Sequence, residues 1–177
     1  MSNIKKLDEF FEMISEAFDN PLDIEWIDKG DILRGFFTVN DRIYQIVCEN
    51  IGYDTWKYDF FFFKENKEFS IELTNIEKDK FRVLPTVESG IKYLFNNKKT
   101  NAIIFGTGDK SKGRKKLYDS FCKKFSEDND LKFYTKIYTD LDKNIDKQIF
   151  LMYKDNIDLD LLTKIIYKIL HDEKLES

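Results

Sequence analysis

A group of cations between a strand and a helix is the part of this sequence whose residue types could do chemistry. Residues 106–116 read GTGDKSKGRKK and follow the apolar run NAIIFG. That run predicts a buried strand, and an amphipathic helix is predicted to begin near Arg114. Cations and the free amide N–H groups of a helix start attract anions. The pattern predicts an anion-binding loop formed by Gly108, Lys110, Lys112, Gly113 and Arg114.

The two glycines of this loop, Gly108 and Gly113, have the spacing of a phosphate-binding P-loop. A P-loop that hydrolyses nucleotides needs a lysine after the second glycine and then a hydroxyl residue that binds magnesium. This chain has Arg114 and Lys115 at those positions, which argues against nucleotide hydrolysis. Two interpretations stay open: a site for a small anionic ligand, and a solvated loop that binds nothing.

Charge is unevenly distributed along the chain. Residues 1–80 carry 10 basic and 18 acidic residues, residues 81–136 carry 13 and 6, and residues 137–177 carry 6 and 9. The basic part includes a predicted helix face made of Lys115, Lys116, Lys123 and Lys124. Such a face is either a solvated surface or one that follows a nucleic-acid backbone, with Phe133, Tyr134 and Tyr138 as stacking surfaces. The acidic flanks disfavour nucleic acid as the partner.

The sequence predicts neither a metal site nor a complete set of catalytic side chains. Residues 140–146 resemble the first half of a calcium loop, but the glycine and glutamate that such a loop requires are absent. Cys48 and Cys122 lack a ligand spacing and are predicted to be buried, reduced thiols. We therefore expect no bound metal.

Length and composition predict one soluble domain over residues 1–177. The chain is 42% hydrophobic and 35% charged, and its 17 Phe and 9 Tyr indicate an aromatic core. Acidic residues interrupt the first 18 residues, so we expect no signal peptide. No apolar run reaches the roughly 20 residues that cross a bilayer. These features predict a cytoplasmic protein without membrane contact.

Hydrophobic periodicity predicts the elements that position the loop. Helices are predicted at residues 4–18, from Pro85, from Arg114 and over 157–169. Strands are predicted at residues 24–27, 32–39, 42–48, 56–63, 69–73, 101–106, 133–138 and 148–153, with a short extended segment at 81–84. Asn40 and Asp41 predict a two-residue hairpin turn. The order predicts an α/β (α+β) fold with a mainly antiparallel central sheet.

Three segments carry a resemblance: FFFFKENKEFSIEL, DKFRVLPTVESGIKYLF and NAIIFGTGDKSKGRKKLYDSF. Together they resemble a family of small bacterial and phage-associated proteins to which no activity is assigned. The resemblance covers most of the chain after about Phe36. It implies an inhibitor or immunity-type factor encoded by a phage or mobile element.

The order of helices and strands around Leu117 and Tyr118 is similar to the GNAT acyltransferase fold. That resemblance implies one β–α–β crossover, helices on both faces of the sheet, acetyl-CoA as cofactor and Tyr118 as proton donor to the leaving thiolate. The acyl-CoA loop of GNAT enzymes is absent. Residues 82–90 have a single glycine, Gly90, inside a predicted helix.

These observations favour a non-catalytic binding protein without a cofactor. Its expected partner is another protein, and a small anionic ligand is a second candidate partner. A divergent acyl-CoA-dependent N-acetyltransferase is the alternative, and a protein that binds the nucleic-acid backbone is a third interpretation.

Overall fold

The structure is a computed structural model that describes residues 21–63, 69–70, 77–107, 112–140 and 145–172. The described chain is a mixed α/β protein. Its strands are β1 (Glu25–Asp28), β2 (Ile32–Val39), β3 (Arg42–Gly52), β4 (Thr55–Phe63), β5 (Phe69–Ser70), β6 (Ala102–Thr107), β7 (Leu131–Asp140) and β8 (Ile145–Lys154). Its helices are α1 (Glu77–Asn97), α2 (Lys112–Asp128) and α3 (Leu159–Asp172). The helix predicted at 4–18 and the strand residues predicted at 71–73 lie outside the described residues.

These residues form two compact units. The first comprises the described parts of Met1–Cys48 and Asp59–Lys98, and the second those of Glu49–Tyr58 and Lys99–Ser177. Strands β3 and β4 therefore contribute residues to both units. The single domain expected over residues 1–177 stays a prediction.

In the first unit, β1 pairs antiparallel with β2, and β4 with β5. Asn40 and Asp41 connect β2 to β3 with φ angles of 47° and 63°. This left-handed backbone is what a two-residue hairpin turn requires. The turn places Phe37 opposite Tyr44, and their rings stack with centroids 5.3 Å apart. The predicted hairpin is confirmed.

One face of this hairpin forms the core of the first unit. Alternate residues of β2 and β3 point to that face, and those that are buried are Leu33, Phe37, Val39, Tyr44, Ile46 and Cys48. Helix α1 contributes Val83, Ile91 and Leu94 to the buried residues. The Trp26 ring of β1 stacks on Tyr93 of α1 with centroids 4.6 Å apart. The aromatic core expected from composition is confirmed here.

Helix α1 begins eight residues before its predicted start. Proline is favoured at the first helical position, which predicts a start at Pro85, but the helix begins at Glu77 and contains Pro85. The extended segment predicted at 81–84 is therefore wrong. A proline inside a helix costs about 3 kcal/mol. The buried Thr86 hydroxyl donates to the Arg82 carbonyl one turn earlier at 2.6 Å and accepts the Leu22 N–H at 3.0 Å, so one local and one tertiary hydrogen bond hold this turn.

The second unit has the strand order β3-β4-β6-β8-β7. Thr55–Lys57 of β4 pairs in parallel with Ala102–Ile104 of β6. Strand β8 pairs antiparallel with β6 on one side and with β7 on the other. The β–α–β crossover expected between β4 and β6 is therefore present, with α1 as its helix.

Helices α2 and α3 cover opposite faces of the sheet in the second unit. Tyr118 of α2 meets Phe150 of β8 edge to face, with ring centroids 6.1 Å apart. Ile165 of α3 instead belongs to a cluster that contains Leu151. Phe150 and Leu151 are adjacent on one strand and point to opposite faces. The prediction of helices on both faces is confirmed for this unit.

Candidate functional site

The start of β6 is anchored on both sides. The Asn101 N–H donates to the Asp54 carbonyl at 2.7 Å, and the Asn101 side-chain amide donates to the Tyr53 carbonyl at 3.3 Å. The Asn101 carbonyl accepts the Lys154 N–H at 3.0 Å. Tyr53 and Asp54 have φ angles of 55° and 53°, so a left-handed turn brings its carbonyls to β6. These bonds fix where the strand begins and hence where its carboxyl end lies.

Strand β6 is buried along most of its length but becomes exposed towards its carboxyl end. Residues Ala102–Phe105 are buried, as the unbroken apolar run predicts. Gly106 is exposed, and a Cβ added to it would have no atom within 4 Å. Gly106 therefore faces open space at the end of a covered strand. Carboxyl ends of strands are where α/β folds commonly bind ligands.

Helix α2 begins at Lys112, two residues before its predicted start. Lys112 and Gly113 are therefore helical and do not belong to a loop, which corrects the prediction. Arg114 lies in the first turn of the helix. Gly108 and Lys110, the other predicted anion-binding residues, lie outside the described residues. The first four backbone N–H groups of a helix have no partner within that helix. In α2 they belong to residues 112–115, which include the cations Lys112, Arg114 and Lys115.

The cations of α2 do not share one face. Cys122 and Phe125 are buried on the side of α2 that packs against the sheet. Arg114 precedes Phe125 by eleven residues and Lys115 precedes Cys122 by seven, so both occupy positions on that side. Lys116 and Lys123 are also seven residues apart, but they occupy another side of the helix.

The predicted basic face made of Lys115, Lys116, Lys123 and Lys124 is accordingly divided. Lys123 and Lys124 are exposed near the end of α2, and Lys124 forms an ion pair with Asp128 at 3.1 Å. This surface pair contributes about 0.3–0.5 kcal/mol. Lys115 instead joins Arg114 at the start of the helix on the sheet-facing side. The division separates the exposed Lys123 and Lys124 from the cations in the first turn of α2.

Two polar residues that the sequence pattern did not single out, Gln148 and Thr135, lie on the sheet face against which α2 packs. Gln148 is buried, is paired with Thr107, and follows the periodicity of Phe150 on β8. Its amide donates to the Thr135 hydroxyl at 2.9 Å, and that hydroxyl donates to the Ile149 carbonyl at 3.0 Å. The only sequence signal is a glutamine that begins an otherwise apolar strand segment. A polar layer therefore lies at the carboxyl end of β6.

Tyr118 and the predicted stacking residues take part in packing. Tyr118 is half-buried and contacts Phe150. Phe133 stacks on Phe150 with centroids 6.4 Å apart, and Tyr134 packs against the cluster that contains Leu151. Both rings are half-buried, so they do not form an exposed platform for nucleic-acid bases. Tyr138 has no described side chain.

The two cysteines are buried and reduced, as predicted. Burial raises the pKa of the Cys48 and Cys122 thiols far above the ordinary range, with the Asp59 and Asp119 carboxylates adding smaller contributions. A thiol with a raised pKa supplies little thiolate, the form that attacks carbonyls and binds metals. Neither cysteine is therefore a candidate nucleophile.

Within the described ranges, no group of three or more His, Cys, Asp or Glu residues is placed to hold a metal ion. In the same part of the chain, no helix is long and apolar enough to cross a membrane.

Comparison with known proteins identifies no family for this chain. No protein-family model matches the sequence, and no curated protein matches it. Among solved structures, a mutant form of the spermidine N-acetyltransferase SpeG from Vibrio cholerae is similar over 82% of this chain and 74% of that chain, with a TM-score of 0.46 and 9% identity. At that TM-score and identity, the similarity decides neither the fold family nor the activity. The expected membership in a phage-associated family stays a prediction.

Proposed function

We propose that this chain is a non-catalytic binding protein that engages an anionic group at the start of α2. The observation that supports the proposal is a first helical turn that contains Lys112, Arg114 and Lys115 but no acidic residue. A helix N-terminus carries roughly half a positive charge, so each added cation costs about 0.3–1 kcal/mol there. These cations therefore do not stabilise the folded chain by themselves. A bound anion would be attracted both by the cations and by the helix N-terminus, so that its binding would be favourable.

The surroundings of the turn support the same proposal. By helical periodicity, Arg114 and Lys115 take positions on the same side of α2 as the buried Cys122 and Phe125. Gln148 and Thr135 form a hydrogen bond on the sheet face against which α2 packs, and Gly106 leaves space at the end of β6. An arginine, a lysine and backbone N–H groups together match a carboxylate or a phosphate.

A protein partner is the proposed source of the anion. The chain carries 18 acidic residues within residues 1–80, which would repel a long polyanion such as a nucleic-acid duplex. A single acidic or phosphorylated side chain of another protein avoids that repulsion. A small anionic ligand is the second source, and a role as a phage or mobile-element inhibitor or immunity-type factor stays a prediction.

Amide chemical shifts measured by nuclear magnetic resonance test the proposal. Sodium phosphate added to the labelled protein should shift the N–H signals of residues 112–116, and sodium chloride of equal ionic strength should not. Equal, dispersed shifts with both salts would mean general screening and would contradict the proposal. A shift confined to Lys123 and Lys124 would also contradict it, because it would place the anion on the solvated part of α2.

A divergent acyl-CoA-dependent N-acetyltransferase is the alternative. The parallel pairing of β4 with β6, followed by a helix that carries Tyr118, favours it. The residues present do not fit coenzyme A, because Gly90 lies inside α1, where the helix uses the N–H groups that would cradle a pyrophosphate. Tyr118 is also half-buried against Phe150. We therefore rank this activity second.

Thermal unfolding with acetyl-CoA separates the two functions. A ligand present at 100 times its Kd stabilises a protein by about 2.7 kcal/mol, which raises Tm by several degrees. We expect no rise with acetyl-CoA. A clear rise would contradict the non-catalytic proposal and favour the enzyme.

Binding to the nucleic-acid backbone remains the third candidate, and its signature is a steep loss of affinity with salt. We expect no binding to a duplex at physiological salt. A complex that weakens by orders of magnitude between low and high salt would instead assign α2 to nucleic acid.

A further inference from the structure

Strand β7 is a long edge strand that carries few of the features that normally protect such an edge. It is last in the strand order, and β8 is its only neighbour among the described strands. All ten residues pair with β8 in one unbroken register, from Leu131 with Lys154 to Asp140 with Ile145. Its sequence, LKFYTKIYTD, has no proline and no bulge, and its charged protective residues are Lys132, Lys136 and the terminal Asp140. Proteins use those features to prevent edge-to-edge pairing.

The side chains of β7 form two rows of different chemistry. Lys132, Tyr134 and Lys136 alternate along one face, and Phe133, Thr135 and Ile137 alternate along the other. Thr135 and Lys136 are exposed, and Ile137 is 60% exposed on the edge of the sheet. The sequence is also rich in aromatic and β-branched residues, which favour strand pairing.

We propose that β7 pairs antiparallel with β7 of a second copy of this chain, with the two-fold axis at Thr135. In this register Phe133 of each copy lies opposite Ile137 of the other, which covers the exposed isoleucine. On the other face, Lys136 lies opposite Tyr134, a lysine–aromatic pair that favours association. The edge is thus complementary to itself.

The positions of Lys132 and Lys136 restrict where the two-fold axis can lie. A two-fold axis at Tyr134 would place Lys132 opposite Lys136 twice, and an axis at Lys136 would place that lysine opposite itself. Like charges directly opposite each other destabilise a strand pair. An axis at Thr135, between those two positions, places no lysine opposite another lysine, and it also covers Ile137 with Phe133.

Disulfide crosslinking tests the register directly. A cysteine in place of Thr135 should link the two copies, because residues opposite each other on the axis have Cα atoms about 5 Å apart. The matched control is Ile137→Cys, whose two copies would be offset by four residues, about 13 Å along the strand, beyond disulfide reach. Native Cys48 and Cys122 are buried, so they leave the readout clean. Crosslinking at 137 in preference to 135 would overturn the register.

Sedimentation of the full chain tests the association without a cysteine. The mean mass should rise with concentration from 21.2 kDa towards twice that value. Ile137→Lys should abolish the rise by placing a charge on the edge, whereas Ile43→Lys changes an isoleucine of similar exposure on β3 and should leave it intact. A wild-type chain that stays monomeric at all concentrations, or equal effects of the two substitutions, would contradict the proposal.

Discussion

At position 35, the neighbouring side chains leave room only for a glycine. It lies directly opposite Trp26 in the β1–β2 register. A Cβ at Gly35 would approach the Trp26 ring to 2.8 Å and the Ile24 side chain to 2.6 Å. The Trp26 ring cannot move away cheaply, because it stacks on Tyr93 of α1. The glycine is therefore required by close packing.

We predict that Gly35→Ala lowers the free energy of unfolding by about 1–3 kcal/mol, the usual cost of overpacking. Chemical denaturation measures this change. The control is Gly106→Ala, also in a strand, where the new methyl group meets no atom within 4 Å. Its effect should stay within about 0.5 kcal/mol. Equal losses in both variants would mean that contact with the Trp26 ring does not set the cost.

At the scale of elements, the sequence was sufficient to predict an element where the residue types themselves restrict the backbone conformation or its burial. Asn40 and Asp41 tolerate positive φ, so the β2–β3 hairpin could be predicted from two residues. The apolar run at residues 101–106 predicted β6, because a strand with both faces covered has no polar alternation.

Helix starts were less predictable, because tertiary bonds override local preference. Pro85 favours a first turn, but the Thr86 hydroxyl accepts a hydrogen bond from the Leu22 N–H, a tertiary contact that no local pattern reveals. The start of α2 was misplaced by two residues, since Lys112 and Gly113 have no strong helical signal. The Gln148–Thr135 bond could not be predicted, because it depends on the β7–β8 register.

The contact between β1 and the residue after α1 gives a prediction about pH. Lys98 donates a hydrogen bond to the Asp28 carboxylate, and the Gly30 N–H donates to the same group at 3.0 Å. The Lys98 hydrogen bond, followed by that of Gly30, lowers the pKa of Asp28. A carboxylate with a lowered folded-state pKa stabilises the protein above its unfolded pKa of about 3.9, and this contribution is lost as pH falls through the folded value.

We therefore predict that Asp28→Asn lowers Tm at pH 7 and that its difference from the wild type disappears towards pH 2. The effect should be small, because the pair lies on the surface. Thermal scans at several pH values measure it, with Asp31→Asn as a control that removes one charge from the same turn. A difference that persists at low pH would mean that the Asp28–Lys98 pair is not its source.

At the scale of the whole molecule, the proposed function rests on the distribution of charge along the chain. Residues 1–80 hold an excess of acid, and the basic excess of residues 81–136 includes the start of α2. Net charge of one sign on a limited surface guides partners to that surface and does not determine a fold. Local composition could therefore suggest the proposed anion site, while the positions of Arg114 and Lys115 on the same side of α2 as Cys122 and Phe125 required the structure.

The most direct test of the central claim is the affinity for inorganic phosphate of two charge-matched double variants, measured by calorimetry. Lys112→Ala with Arg114→Ala should weaken binding at least about tenfold, because a lost charged hydrogen bond costs about 1.5–3 kcal/mol. Its Tm should stay level or rise, since cations oppose the helix dipole. Lys123→Ala with Lys124→Ala removes the same charge and should leave the affinity within about twofold. Equal weakening in both variants, or no phosphate binding by the wild type, would contradict the anion site at the start of α2.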